Sequence, residues 1–233
     1  CGIYMNIGKE VAVASTKSFN SSLLLLKIFS LWLYQEKTKM IYSNHDFEYL
    51  QMNDYIKNQI KHINQMIYQV KKINNQINII LEDLNFDNLL QNHIFIIGRG
   101  SLEYIAKECA LKMKEICYIH GEGINGSALK HGPLAMIHQY FPVILLINHN
   151  NVDKMINVYH ELKSRNAYIF IITSEIDILK MNKKLNIIYF PKNNVCSEIL
   201  IMLIIQHLCY EISIKKKINP DRPKNLAKVV SVE

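Results

Sequence analysis

The 233-residue chain has no CxxC pair, no HExxH motif, no long uninterrupted apolar run and no block of positive charge extensive enough to grip a nucleic acid. Each absence removes a class of function. The five cysteines (Cys1, Cys109, Cys117, Cys196 and Cys209) follow neither a zinc spacing nor a disulfide framework. They read as small buried hydrophobes in a reducing compartment. His120, Glu122, His131 and His138 fit no ligand spacing, so no metal site is expected. The apolar run Leu23 to Tyr34 is broken by Lys27, and Ile199 to Cys209 is shorter still. Both fall below the about 20 residues a membrane span needs, so no membrane association is expected. No signal peptide is visible, and a cytoplasmic protein is expected.

The formal charge is +7, but its lysines are dispersed. Their one run, Lys215-Lys216-Lys217, falls late in a predicted helix, where cations are favoured. No nucleic-acid partner is expected, and a basic pocket for a small anion suits this balance better.

Residues 1–12 predict no regular element. From Ser15 the pattern turns helical, with Leu24, Ile28, Leu31 and Trp32 on one stripe. Residues 45–90 contain neither Pro nor Gly and space Tyr55, Ile60, Ile63, Met66, Ile67 and Val70 helically, which predicts two linking helices. A different pattern follows. His93 to Ile97 is a continuous apolar run, and strands are also predicted over Phe141–Ile147, Tyr168–Thr173 and Leu185–Phe190. Helices are predicted from Leu102 to Ile119, Asp153 to Asn166 and about Asn194 to Lys217. Strands apolar on both faces, alternating with helices, predict an α/β fold with a parallel sheet covered on both sides. Ligands are then expected beyond the carboxyl ends of the strands.

Four segments carry candidate chemistry. Gly98-Arg99-Gly100-Ser101 reads either as a phosphate cradle or as a tight strand-to-helix turn. The turn is favoured, because Glu103 occupies the third glycine position of the dinucleotide fingerprint. Lys112 and Glu115 share a helix face. A carboxylate near a helix carboxyl end is poorly stabilised as an anion, which suits a general base; a plain surface pair has the same spacing. The region 120–135 is glycine-bearing and reads as a long loop, with His131 fixed beside Gly132-Pro133 as a proton-exchanging group or an ordinary loop histidine. The tail reads as a fraying terminus, except that apolar alternation around Lys228 suggests packing against the protein. A lysine held that way can attack a carbonyl.

Taken together, Val13-Ala14-Ser15-Thr16-Lys17, Ala110-Leu111-Lys112-Met113-Lys114-Glu115-Ile116, Leu129-Lys130-His131-Gly132-Pro133-Leu134-Ala135 and Asn225-Leu226-Ala227-Lys228 resemble the isomerase part of the glutamine–fructose-6-phosphate aminotransferase family. The similarity covers nearly the whole chain and is weakest over the linking helices. The resemblance implies flavodoxin-like sugar-isomerase (SIS) domains: residues 1–40 as the end of a first, 41–84 as linking helices, 85–223 as the second, and 224–233 as a catalytic tail. It also implies that the chain is a fragment, inactive alone, without the family's glutaminase and phosphate-binding loop; Cys1 is then a fragment start rather than a glutaminase nucleophile.

By the same resemblance, Lys228 forms a Schiff base with open-chain fructose 6-phosphate, His131 assists ring opening, and Glu115 moves a proton between C1 and C2 with Lys112 nearby. Val13, Ser15 and Ala227 contact the sugar. No cofactor is implied. The partners implied are ammonia from a glutaminase domain and a second subunit in a homodimer. Ser127-Ala128 stands where the family usually has Gly-Glu, and Val229 where a small polar residue is usual. Two other readings stay open: a non-catalytic SIS module that senses a sugar phosphate, and a glutaminase-free amino-sugar-phosphate lyase or isomerase.

Overall fold

In the computed structural model, residues 2–43, 45–83, 92–181, 186–193 and 195–228 are described. Two long helices come first, α1 (Lys17–Ile41) and α2 (Phe47–Asp83). An alternating unit follows: β1 (His93–Gly98), α3 (Ser101–Cys117), β2 (His120–Asn125), β3 (Pro142–Ile147), α4 (Val152–Lys163), β4 (Tyr168–Thr173), α5 (Ile176–Met181), β5 (Asn186–Tyr189) and α6 (Ser197–Lys215). A 3-10 turn, Pro133–Met136, lies between β2 and β3.

The five strands form one parallel sheet in the order β2-β1-β3-β4-β5. Alternate residues of the apolar strands feed two cores. Ile94, Ile96, Ile144, Leu146, Phe170 and Ile172 pack with α3 and α6 on one face. Phe95, Ile97, Val143, Leu145, Ile147 and Ile171 pack with α4 on the other, joined by Leu129 and Ile137. This is the doubly wound, flavodoxin-like arrangement expected from strands apolar on both sides.

Three local expectations change. His120–Asn125, read as loop, is the edge strand β2. Its composition is poor for a strand because α3 lies unusually close. A Cβ at Gly123 would meet the Lys107 backbone at 2.4 Å, and one at Gly121 would meet the Ala110 carbonyl at 2.9 Å. The polar 45–90 stretch forms one continuous helix over Phe47–Asp83 where two were predicted, consistent with its lack of helix-breaking residues.

The third change concerns α6. This helix is long and apolar enough to cross a membrane, although its shorter core, Ile199 to Cys209, falls below span length. Most of it is buried in the fold. It is apolar all round because α3 and the sheet cover one side, while α1 and α2 pack against it from elsewhere. The predicted strand start at Leu185 and helix start at Asn194 lie outside the described residues.

Candidate active site

The geometry of α3 fixes the position of Glu115. After β1 the chain turns sharply at Gly98, where a Cβ would meet the Leu102 carbonyl oxygen at 2.1 Å. The Gly98-Arg99-Gly100-Ser101 segment is therefore the tight turn, with Gly100 at φ +63°. From there α3 runs back along the sheet and ends at Tyr118, whose left-handed backbone (φ 54°) sends an N–H to the Met113 carbonyl. Glu115, in the last turn, lies beside the amino-terminal edge of the sheet. The expectation of a site beyond the strands' carboxyl ends is not met by this group, because its residues come from the end of a helix that returns to where β2 begins.

Lys112 is buried (1% exposed), and its ammonium donates to Glu115 Oε2 at 2.6 Å. A second carboxylate, Glu108 one turn earlier, lies 3.2 Å from the same nitrogen. The surface-pair alternative is thereby excluded for Lys112. A buried ammonium between two carboxylates satisfies its charge locally and fixes one Glu115 oxygen.

The tail runs past this group. The Lys224 amide donates to Tyr118 Oη at 2.6 Å, and the Lys224 ammonium sits 4.7 Å from the Tyr118 ring centroid. Glu115, Tyr118, Lys224, Asn225 and Leu226 together line a cleft of about 420 Å³. A larger cleft of about 650 Å³ between α1 and α3 contains the Lys27–Glu198 ion pair and Ser101 of the β1–α3 turn, but none of Lys112, Glu115, His131 or Lys228.

Lys228 then reaches the segment before α1. Its Nζ donates to the Ala12 carbonyl at 2.8 Å and lies 3.4 Å from Glu10 Oε2. The tail does pack back, but Lys228 remains 43% exposed and is ion-paired rather than desolvated. Val13, three residues after Glu10, donates its amide to the Asp221 carbonyl at 3.2 Å. Ser15 Oγ lies 2.6 Å from Ser18 Oγ. Ala227 is exposed on the tail.

Glu10 organises this corner. It accepts hydrogen bonds from the Thr16 and Ser18 amides at 2.9 and 3.2 Å, and from both hydroxyls. Thr16 makes no side-chain cap of its own, so the carboxylate of Glu10 satisfies the first amides of α1. Burial alone would raise the Glu10 carboxyl. The Ser18 hydroxyl, the two amides and Lys228 outweigh it and pull the group down to about 2.

His131 is not part of this assembly. It follows β2, on an exposed loop whose Leu129 and Leu134 pack into the core on the α4 side of the sheet. Lys130 pairs there with Glu161 at 2.8 Å. Glu115 lies on the α3 side, separated from His131 by the sheet. At the start of that loop Arg99 donates to Ser127 Oγ, and the Ser127 amide donates to Asn125 Oδ1 at 2.8 Å.

Among the described residues, no group of three or more His, Cys, Asp or Glu side chains could hold a metal. Three contributors escaped the sequence reading. Glu108 was detectable, four residues before Lys112 on the same face. Tyr118 and Glu10 act through contacts with the distant tail, and no local pattern signals them.

The parallel sheet in this order, with helices on both faces, places the chain among doubly wound α/β proteins. The pattern of the SIS domain family matches residues 90–212, and the chain belongs to that family. More particularly, it is 38% identical over 99% of its length to "Probable glutamine–fructose-6-phosphate aminotransferase [isomerizing]" of Acanthamoeba polyphaga mimivirus. It is 35% identical, over 99% of its length, to glutamine–fructose-6-phosphate aminotransferase [isomerizing] of Wigglesworthia glossinidia brevipalpis. It spans 36% of the length of each. Among solved structures, the C-terminal domain of glucosamine-fructose-6-phosphate aminotransferase from Francisella tularensis matches with a TM-score of 0.78 and 26% identity, covering 94% of this chain and 59% of that one.

Proposed function

We propose that this chain is isomerase machinery of a glutamine–fructose-6-phosphate aminotransferase, converting fructose 6-phosphate to glucosamine 6-phosphate with ammonia released from glutamine. The observation that carries this reading is the tail: it lines one cleft with Glu115 and, two residues beyond Leu226, brings Lys228 to the Ala12 carbonyl, next to Val13. The Lys228 amine adds to the C2 ketone of the open-chain sugar and expels water, forming an imine. Ammonia then adds to C2 and expels the Lys228 amine, and the resulting imine of ammonia accepts electron density as Glu115 takes a proton from C1 and returns it at C2, leaving an amine on C2 and an aldehyde at C1. Lys112 fixes one Glu115 oxygen and leaves the other for the substrate.

Val13, Ser15 and Ala227 contact the sugar in this reading. His131, remote from Glu115 within one chain, assists ring opening in the site of a second subunit, so the working unit is a cytoplasmic homodimer. Residues 1–40 close a first SIS domain, residues 41–84 link it to a second spanning 85–223, and the chain by itself is inactive. Its spanning about a third of its relatives' length accords with these assignments.

The test uses the full reading frame that contains this chain. Given fructose 6-phosphate and glutamine, it should form glucosamine 6-phosphate and glutamate, and Glu115→Gln should lower turnover by about two or more orders of magnitude. A protein that binds fructose 6-phosphate without converting it would instead identify a sensor module.

A further inference from the structure

The reaction proposed above assigns Glu10 no role, yet among the described residues its carboxylate pairs with the proposed nucleophile, 3.4 Å from Lys228 Nζ. We propose that Glu10 is the counter-ion that positions the Lys228 nitrogen, first as the ammonium and then as the protonated imine formed with the ketose. This rests on the assignment of Lys228 as the imine-forming lysine.

The carboxylate is placed before substrate arrives. Its oxygens are held by the amides and hydroxyls of Thr16 and Ser18 at the start of α1, so it cannot follow a moving side chain far. Lys228 comes to it from the opposite end of the chain, with Nζ shared between Glu10 Oε2 and the Ala12 carbonyl. Glu10 also stays charged across the neutral range, since its hydrogen bonds hold the carboxyl down to about 2 despite burial.

The chemistry gives this anion two uses. An ammonium has three N–H donors and can serve both the Ala12 carbonyl and Glu10. When the neutral amine condenses with the C2 ketone, the C–O bond breaks, water leaves and a C=N bond forms. Protonation of that nitrogen restores one positive charge but leaves a single N–H. A charge-assisted hydrogen bond to a carboxylate is stronger than one to a neutral carbonyl, so the remaining N–H turns to Glu10 and the Ala12 contact is given up. The protonated imine is the stronger electrophile, and holding it protonated assists the addition of ammonia to C2 that releases Lys228. Glu10 does not supply the proton on the imine nitrogen, because a carboxyl held near 2 is not an acid at neutral pH. It acts through Lys228 and is a positioning residue.

A purely structural alternative is that Glu10 only caps α1. Glu10→Gln separates the two, since the amide oxygen still accepts from the Thr16 and Ser18 amides but carries no charge. Thr16→Val removes one hydroxyl contact to Glu10 and leaves Lys228 untouched. In the full reading frame, fructose 6-phosphate plus cyanoborohydride, which reduces protonated imines, should label wild-type Lys228, read by peptide mass spectrometry. For Glu10→Gln the labelling rate and kcat should each fall about tenfold to a hundredfold, with KM within about threefold. Glu10→Asp should recover part of both, and Thr16→Val should stay within about twofold of wild type. Unchanged labelling and kcat in Glu10→Gln, or an equal loss in Thr16→Val, would overturn the proposal. A wild-type protein that turns over the sugar but never labels at Lys228 would instead overturn the imine assignment, and the proposal with it.

Discussion

Lys228 Nζ donates to the carbonyl oxygen of Ala12 at 2.8 Å, joining residues 216 positions apart in the chain. Neither residue belongs to a helix or strand. Both are held by regular structure nearby: Ala12 by the Glu10–Ser18 network at the start of α1, and the tail by Tyr118 at the end of α3. The proposed site is thus made from two irregular segments fixed by two helix termini.

The Glu10 network predicts an acid-sensitive contribution to stability. The folded-state carboxyl, near 2, lies below its ordinary value of 4.5, so on acidification the unfolded chain takes up the proton first. The stabilisation is fully present above about pH 4.5 and is lost as pH falls toward 2. Glu10→Gln should therefore be less stable than wild type at pH 7, with the difference shrinking between pH 4.5 and 2. Urea unfolding across that window measures it, and a constant difference at all pH values would contradict the assignment.

The close approach of β2 to α3 predicts a severe effect from a minimal change. A Cβ at Gly123 would meet Lys107 backbone atoms at 2.4 Å, and a helix backbone cannot yield cheaply. Gly123→Ala should cost about 3 kcal/mol, read as a lower urea midpoint. Gly132→Ala meets no atom within 4 Å but sits at φ +133°, so its cost comes from backbone strain alone and should be smaller.

Much of the fold was legible because strands buried on both faces have a distinctive composition. Phe141 to Ile147 and Tyr168 to Thr173 have no polar face, and both are central strands. His120–Asn125 was not legible as β2: as an edge strand pressed against α3 it needs glycine where most strands carry branched residues. The Lys112–Glu115 pair could be read from its spacing, but the burial of Lys112 could not, because that depends on helices packed around it. Nothing local in the tail announces Tyr118 or Glu10 as its anchors. Contacts of long sequence separation leave no periodic signal.

The separation of His131 from Glu115 by the sheet predicts that catalysis needs two chains. Mixed dimers of full-length protein carrying His131→Ala in one subunit and Lys228→Ala in the other should keep one intact composite site and recover about half of the wild-type activity at most. Each single-variant homodimer should be strongly impaired. Verified heterodimers with no more activity than the homodimers would place His131 and Lys228 in the same subunit's site or outside catalysis.

The proposed imine between Lys228 and the ketose is a covalent bond that borohydride trapping in full-length protein can capture. Fructose 6-phosphate and borohydride should leave a reduced sugar adduct on Lys228, located by peptide mass spectrometry. Lys228→Arg keeps the positive charge and can still reach Glu10, but it offers no imine-forming amine. It should abolish the adduct and lower isomerisation by about two or more orders of magnitude. Lys224→Arg, four residues earlier on the same tail, should leave the Lys228 adduct in place. Near-normal isomerisation by Lys228→Arg, or an adduct that persists in it, would rule out an imine at Lys228.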